Sequence, residues 1–370
     1  MFHTTVRRAG GRLAMLEALE DRRLLSGYTA TELDLGLPPT ALLQGGLADN
    51  GAVLAQQFAG GTQAPAVRHK SGAIDTVNAP AGAVGFDLNA SGAVVGSAGN
   101  QAFYWKDGQY TELPGIGGAN AEARALNNSG DVVGQARHPD GFTRAVLWHD
   151  GTPQVLGTLG GRFSDANDIN GSGQVVGESG TAGGFLGTAF LYADGQMTSL
   201  GYLSQPGPIP FSNGLAINNA GEVAGGASND RGQMEAFFYA DGQMTGLGTL
   251  GGVFSLGLDL NNARVVVGQS NNAAGQLSAF VWTADAGMID LNTMVTGNPA
   301  HLDSALAVNQ RGQILAIGGR NASNAAKVYL LTPSDDAAAM PMSALPDALT
   351  APSSVTGADS VFGDAVQLLA

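Results

Sequence analysis

Few side chains in this sequence are able to do chemistry, and those few fall at fixed spacings. Cysteine is absent, which excludes disulfides, thiolate metal sites and cysteine nucleophiles. Three carboxylates, Asp87, Asp168 and Asp259, occupy one position of a recurring pattern, two residues ahead of a repeated Asn, and alternate there with Ala125, Ala216 and Ala307. If the strand that carries them lines a central channel, they converge near its mouth, where oxygen ligands suit a hard cation such as Ca²⁺. The plainer reading is preferred: an Asp beside a turn hydrogen-bonds backbone. The histidines, at 3, 69, 138, 149 and 301, show no metal-ligand spacing, although His138 and His149 can share one loop region. No Gly-x-Ser-x-Gly elbow occurs. The Gly-Gly and Gly-x-Gly fragments lack the strand–loop–helix setting of a phosphate loop.

The elements that must position these residues follow from the repeat itself. Leu126 to Gly134 reads LNNSGDVVG, with relatives at Leu88 to Gly96, Ile169 to Gly177, Ile217 to Gly225 and Leu260 to Gly268, and weaker copies at Leu47 to Ala55 and Val308 to Ala316. The seven turn positions are 51, 92, 130, 173, 221, 264 and 312, a step of 38 to 48 residues, with Arg264 in place of glycine in one copy. Asn-x-x-Gly suits a type I turn, with Asn first and Gly fourth. A second half follows, Ala-Phe-x-aromatic and then Asp-Gly, as in Ala102 to Gly108 and Ala236 to Gly242. Asp-Gly after such a run signals a two-residue hairpin. One unit is therefore four antiparallel strands in roughly 40–45 residues, the size of a propeller blade. The aromatic positions are read as His69, Trp105, Trp148, Tyr192, Tyr239, Trp282 and Tyr329. They could stack on sugar rings, but a residue present in every unit is first a packing residue.

The ends predict closure. The seventh unit lacks a fourth strand, and Thr31 to Leu37, ahead of the first unit, resembles the fourth-strand segment Thr111 to Gly117. The expected fold is thus all-β, a seven-bladed propeller over residues 28–333 whose N-terminal strand completes the last blade and removes an open edge. Residues 1–27 are set apart as a targeting segment. Residues 334–370, rich in Ala, Ser, Pro and Asp without Lys or Arg, are read as a disordered tail.

With HAF-type order running from Ala-Phe-x-Trp through Asp-Gly and Leu-Gly-x-Leu-Gly-Gly to Asn-x-x-Gly-x-Val-Val-Gly, residues 41–330 resemble the HAF repeat family of bacterial, probable extracellular repeat proteins. The His of that family's name is replaced here by Gln101, Arg144, Thr188, Glu235 and Ser278, so no role is carried over for it. Leu19 to Ser26, LEDRRLLS, is similar to the LEPR-XLL motif of surface and secreted proteins, with Asp21 where Pro is usual. These resemblances imply an extracellular or cell-surface setting and leave the biochemical role unassigned.

Composition narrows the partners. A net charge of −14 would repel phosphate backbones, so nucleic acid is excluded as a partner. No apolar run approaches the roughly 18 residues of a membrane span. The chain is expected to be a monomer and a non-enzymatic binding or structural scaffold, for a cell-envelope polymer or a protein, with no cofactor apart from the Ca²⁺ just considered. The alternatives are an enzyme acting on extracellular glycans through the acidic channel mouth, and an intracellular interaction scaffold.

Overall fold

A computed structural model describes residues 27–33, 46–59, 62–184, 186–203, 210–297, 299–319 and 327–334. The targeting call on 1–27 and the tail call on 334–370 lie outside these residues, apart from Gly27 and Ser334. The described chain is all-β but for one 3₁₀ turn, Leu291–Thr293. It forms seven antiparallel sheets in chain order, which are the seven blades of a propeller. Blades 2 to 6 have four strands each and span 84–113, 121–155, 160–201, 212–246 and 251–290. Blade 1 shows three, Val53–Ala59, Thr62–Arg68 and Ile74–Thr76, with its inner edge marked by the bridge from Leu47 to Val53.

Local chemistry fixes the hairpins as read. Asp107, Asp150, Asp194 and Asp241 take positive φ of 48–52°, and the glycine after each is also positive. That is the type I′ turn, whose twist matches that of the strands it joins. At the Asn-x-x-Gly turns the fourth residue is left-handed in every copy, including Arg264 at φ 60°.

Blade 7 is built from Leu302–Val308, Ile314–Gly318 and Lys327–Pro333, and its fourth strand is the N-terminal Tyr28–Glu32. Thr29 pairs with Thr332 and Thr31 with Leu330 in one antiparallel register. The closing strand thus sits three residues earlier than the sequence pattern suggested. The Leu33 N–H still bonds the Val328 carbonyl, while 34–37 lie outside the described residues. The short strand Val295–Thr296 adds to the outer side of Tyr28–Glu32 in parallel, an edge cover the sequence did not announce.

The core is divided, one apolar cluster between each pair of neighbouring blades. Between blades 2 and 3, for example, Val95, Ala102 and Leu113 meet Ala123, Val132 and Trp148. Leu33, Val53, Ala307 and Leu315 fill the seam between blades 7 and 1. The strand register revises two of the aromatic equivalences. Trp105, Trp148, Tyr192, Tyr239 and Trp282 each face the first residue of the Val-Val pair. In blades 1 and 7 that place belongs to Arg68 and Leu331, not to His69 and Tyr329. Burial of Trp148 at 0% and its Nε1 bond to the Pro114 carbonyl of blade 2 give this position its packing role.

Candidate functional site

The first strand of each blade faces a central channel of about 340 Å³, open at the end where the Asn-x-x-Gly turns lie. Asp87, Asp168 and Asp259 stand in this channel's wall, as expected. Their carboxylates are committed elsewhere. In each, Oδ1 accepts from the next residue's own N–H: Leu88 at 2.8 Å, Ile169 at 2.7 Å and Leu260 at 2.7 Å. Oδ2 accepts from the following blade: Leu126 at 3.1 Å, Ile217 at 2.8 Å and Val308 at 2.7 Å. The donor in that blade is the residue just after Ala125, Ala216 or Ala307, which explains the alternation. One Asp serves two blades, and its partner blade needs only a small side chain. Seven is odd, so the pattern cannot alternate all the way round. Blades 2–3, 4–5 and 6–7 are clamped, and blade 1 carries Gly46 at this place.

Burial pushes the Asp87 and Asp259 carboxyls up to about 7, against the pull of their two N–H bonds. Burial raises Asp168 well above the usual carboxylate range, and the charges of Asp259 and Asp87 add to it. Among the described residues no group of three or more His, Asp or Glu side chains has the arrangement of a metal site. All three carboxylates stand in the wall, and each turns one oxygen to the adjacent backbone N–H and the other to an N–H of the next blade, where the plainer reading had only a local bond.

A second tier of contacts was not foreseen. The repeat Asn residues do cap their own turns; Asn170 Oδ1 accepts from Ser172 and Gln174 N–H at 3.0 Å each. Each also reaches sideways. Asn89 Nδ2 donates to the Asn127 carbonyl, Asn127 to Asn170, Asn170 to Asn218, Asn218 to Asn261 and Asn261 to Asn309, at 3.0–3.3 Å. Asn309 closes the belt on the Ala48 carbonyl at 3.2 Å. Ala48 holds the Asn place in blade 1, so the link onward to Asn89 is missing; Asn50 Nδ2 bonds the Ala90 carbonyl instead, at 3.1 Å. Buried amides of this kind need every partner satisfied, and here one side chain serves the turn and the ring together. The recurrence of Asn was visible in the sequence, but its amide had no visible second task.

The channel wall has one further regularity. Every inner strand of blades 2 to 7 carries a β-bulge one residue before the Asp/Ala position. The extra residues are Phe86, Arg124, Asn167, Leu215, Leu258 and Leu306, and all six line the channel. A bulge of this type turns an extra side chain off the regular alternation. In blades 2 to 6 the bulged strand lies close over the glycine of Val-Val-Gly: a Cβ at Gly96, Gly134, Gly177, Gly225 or Gly268 would run into one of its backbone oxygens, whereas blade 7 forms the same bulge opposite Ala316. Arg124 is tied down, its Nε on Glu122 Oε1 at 2.8 Å and its Nη1 on Asn167 Oδ1 at 2.8 Å. Asn167 Nδ2 in turn donates to Asn213 Oδ1 at 2.7 Å.

Between blades 3 and 4, behind the wall, Asp165 and Glu178 face each other across paired strands. Burial first, then the Asp165 charge, raises Glu178 to about 7. Sequence reading missed this pair because neither residue recurs in the other units. His138 and His149 do not share a loop: they bracket the strand Thr143–His149 from opposite ends and pair with Asp140 and Asp131, respectively.

No family model and no curated protein matches the chain. Several solved structures are similar to it in fold. Virginiamycin B lyase from Staphylococcus aureus is 13% identical with a TM-score of 0.48, over 82% of this chain and 99% of the lyase. TolB from Acinetobacter baumannii is 11% identical with a TM-score of 0.40, over 78% and 85%. The acylaminoacyl peptidase of Pyrococcus horikoshii is 12% identical with a TM-score of 0.48, over 77% of this chain and 50% of the peptidase. At such identities likeness speaks to fold alone, and the fold here rests on the strand order already described. The class is a seven-bladed β-propeller; among the described residues no helix is long and apolar enough to cross a membrane.

Proposed function

We propose that the chain is a non-enzymatic binding propeller, exported to the cell surface or the medium, whose channel mouth holds a cell-envelope polymer or partner protein. The observation that carries this reading is the commitment of the channel carboxylates. Asp87, Asp168 and Asp259 each have both oxygens on backbone N–H groups, so they act as blade clamps, whereas an acid or base must reach the proton it moves. What the channel presents instead is a fixed, ring-braced surface, which favours binding through low reorganisation. The HAF-like repeats and the LEPR-XLL-like segment at Leu19 to Ser26, which lies outside the described residues, support the extracellular setting.

The test is twofold. Purified protein is sedimented with cell-wall polymer from the producing cell, and the polymer's length is measured afterwards; saturable retention with unchanged polymer is expected, and shortened polymer would overturn the non-enzymatic reading. Cell fractionation should find the protein in the envelope or medium, and a cytosolic location would favour an intracellular scaffold. A second reading, an enzyme, has one observation in its favour: the facing carboxyls of Asp165 and Glu178, with Glu178 raised to about 7 by burial. Neither residue lines the channel. Under that reading, Glu178→Gln abolishes polymer cleavage while retention survives.

A further inference from the structure

The seven repeats serve as each other's control. Residues on either side of the bulge are nearly invariant among blades 2 to 7: Gly or Ala before it, Asp or Ala after it. The bulged residue itself ranges over Phe, Arg, Asn and Leu. Packing and clamping therefore restrict the flanks, while the side chain turned into the channel is released from the repeat's rules. Around the ring this freedom is not scattered. Leu215, Leu258 and Leu306 come from three successive blades, 5, 6 and 7, and the linked Arg124 and Asn167 from the two blades before them, 3 and 4, with Phe86 of blade 2 on the other side of that polar pair. The corresponding residue of blade 1 lies outside the described residues.

The rim above these leucines is rich in donors. Asn219 Oδ1, Asn262 Oδ1 and Gln310 Oε1 each accept a backbone N–H from the preceding blade, at 3.0, 2.8 and 2.9 Å. With the oxygens held, the amide nitrogens of these channel-lining residues keep N–H groups that meet no acceptor among the described residues. Asp49, bound at one oxygen by the Gln310 N–H at 2.9 Å, supplies one carboxylate at the mouth. Anions find no partner there: among the described lining residues the cationic side chain is Arg124, which is paired with Glu122, and Asp49 places a carboxylate at the mouth. The rim amides, being donors, disfavour an ammonium group close by. A neutral ligand rich in acceptors with a small apolar appendage fits both zones. The channel's volume of about 340 Å³ lies in the range of roughly 300–1,000 Å³ usual for small-molecule sites.

We propose that the channel mouth is a site for a neutral N-acylated sugar, with its acyl methyl against Leu215, Leu258 and Leu306 and its carbonyl and hydroxyl oxygens on the free rim amides. This deepens the binding reading above and rests on it. The bulge residues determine specificity, and the Asp clamps and Asn belt hold them in place.

The test uses the full chain and three uncharged or cationic disaccharides in calorimetric titration. N,N′-diacetylchitobiose should bind saturably at one site per chain, at least tenfold more tightly than cellobiose, which lacks the acyl groups, and than chitobiose, which carries free ammonium groups. The double variant Leu215→Asn and Leu258→Asn should lose at least tenfold in affinity. Asparagine already stands at this position in blade 4 as Asn167, so the variant is expected to fold, and an unchanged melting temperature verifies it. Val253→Ser, at an exposed residue at the far end of blade 6's inner strand, should bind as the parent does. No saturable binding of the acetylated sugar, tighter binding of chitobiose, or full affinity in the folded double variant would each overturn the proposal. If the sugar binds but is cleaved, the site stands and the non-enzymatic reading falls. If the chain still sediments with cell-wall polymer while the sugar does not bind, the general reading stands and this site falls.

Discussion

At the residue scale the most consequential side chains are the three clamping aspartates and the belt of asparagines. Each Asp satisfies two backbone donors in two blades, so Asp259→Ala strands the N–H groups of Leu260 and Val308. At about 1–3 kcal/mol per stranded donor, we expect a clear fall in the urea midpoint. The effect depends on pH with a definite sign. The folded carboxyls are raised to about 7 from an unfolded value of about 4. Between these values the folded state holds protons that the unfolded state has released, so the stability they contribute is full below about pH 4 and is lost as pH rises through about 7. The advantage of the parent over Asp259→Ala should therefore shrink from pH 5 to pH 8; an advantage that grows with pH would contradict the assignment. The belt offers a gain. Ala48 adopts the same turn as the repeat Asn residues, with its N–H on the Ala52 carbonyl and its carbonyl receiving Gly51. Ala48→Asn should supply the missing link to Asn89 and raise stability by about 0.5–1.5 kcal/mol, the net value of one hydrogen bond, measured as an upward shift in melting temperature.

At the element scale, turns and strands were legible because their chemistry is local. Asp-Gly demands positive φ twice, and Asn-x-x-Gly closes on itself, so Asp107-Gly108 and Asn170 to Gly173 announce their geometry without reference to the rest of the chain. The bulge was not legible. It shows only in the pairing of two strands, and its result, the turning of Leu258 or Arg124 into the channel, appears only when those strands are set in register. In blades 2 to 6 the Val-Val-Gly glycine leaves the space that a neighbouring strand's carbonyl oxygen occupies. Gly268→Ala should accordingly cost about 1–3 kcal/mol through overpacking, whereas at Ala55 and Ala316, which occupy this position in blades 1 and 7, the methyl is already accommodated. Equal stability of Gly268→Ala and the parent in urea titration would remove the glycine from this account. The aromatic assignments to His69 and Tyr329 failed for a related reason: blades 1 and 7 depart from the repeat, and the facing residue can be counted only along the ladder.

At the scale of the whole molecule, the account requires a closed ring. Blade clusters touch only their neighbours, so stability is a chain of interfaces, and an open seam between blades 7 and 1 would expose a full strand edge. Removing residues 1–33 should therefore be far more damaging than removing 335–370, because Tyr28 and Leu33, 4% and 7% exposed, each bury apolar surface that stabilises by roughly 1.5–3 kcal/mol, and because every described strand survives the second deletion. The most direct measurement follows from the absence of cysteine. Thr29 and Thr332 are exposed partners in the closing ladder. The pair Thr29→Cys and Thr332→Cys should form an intramolecular disulfide under mild oxidation and raise the melting temperature, since it closes a loop of nearly the whole propeller. The offset pair Thr29→Cys and Leu330→Cys should not. Failure of the first pair to form, or equal formation of both, would mean that the N-terminal strand does not close the ring in this register.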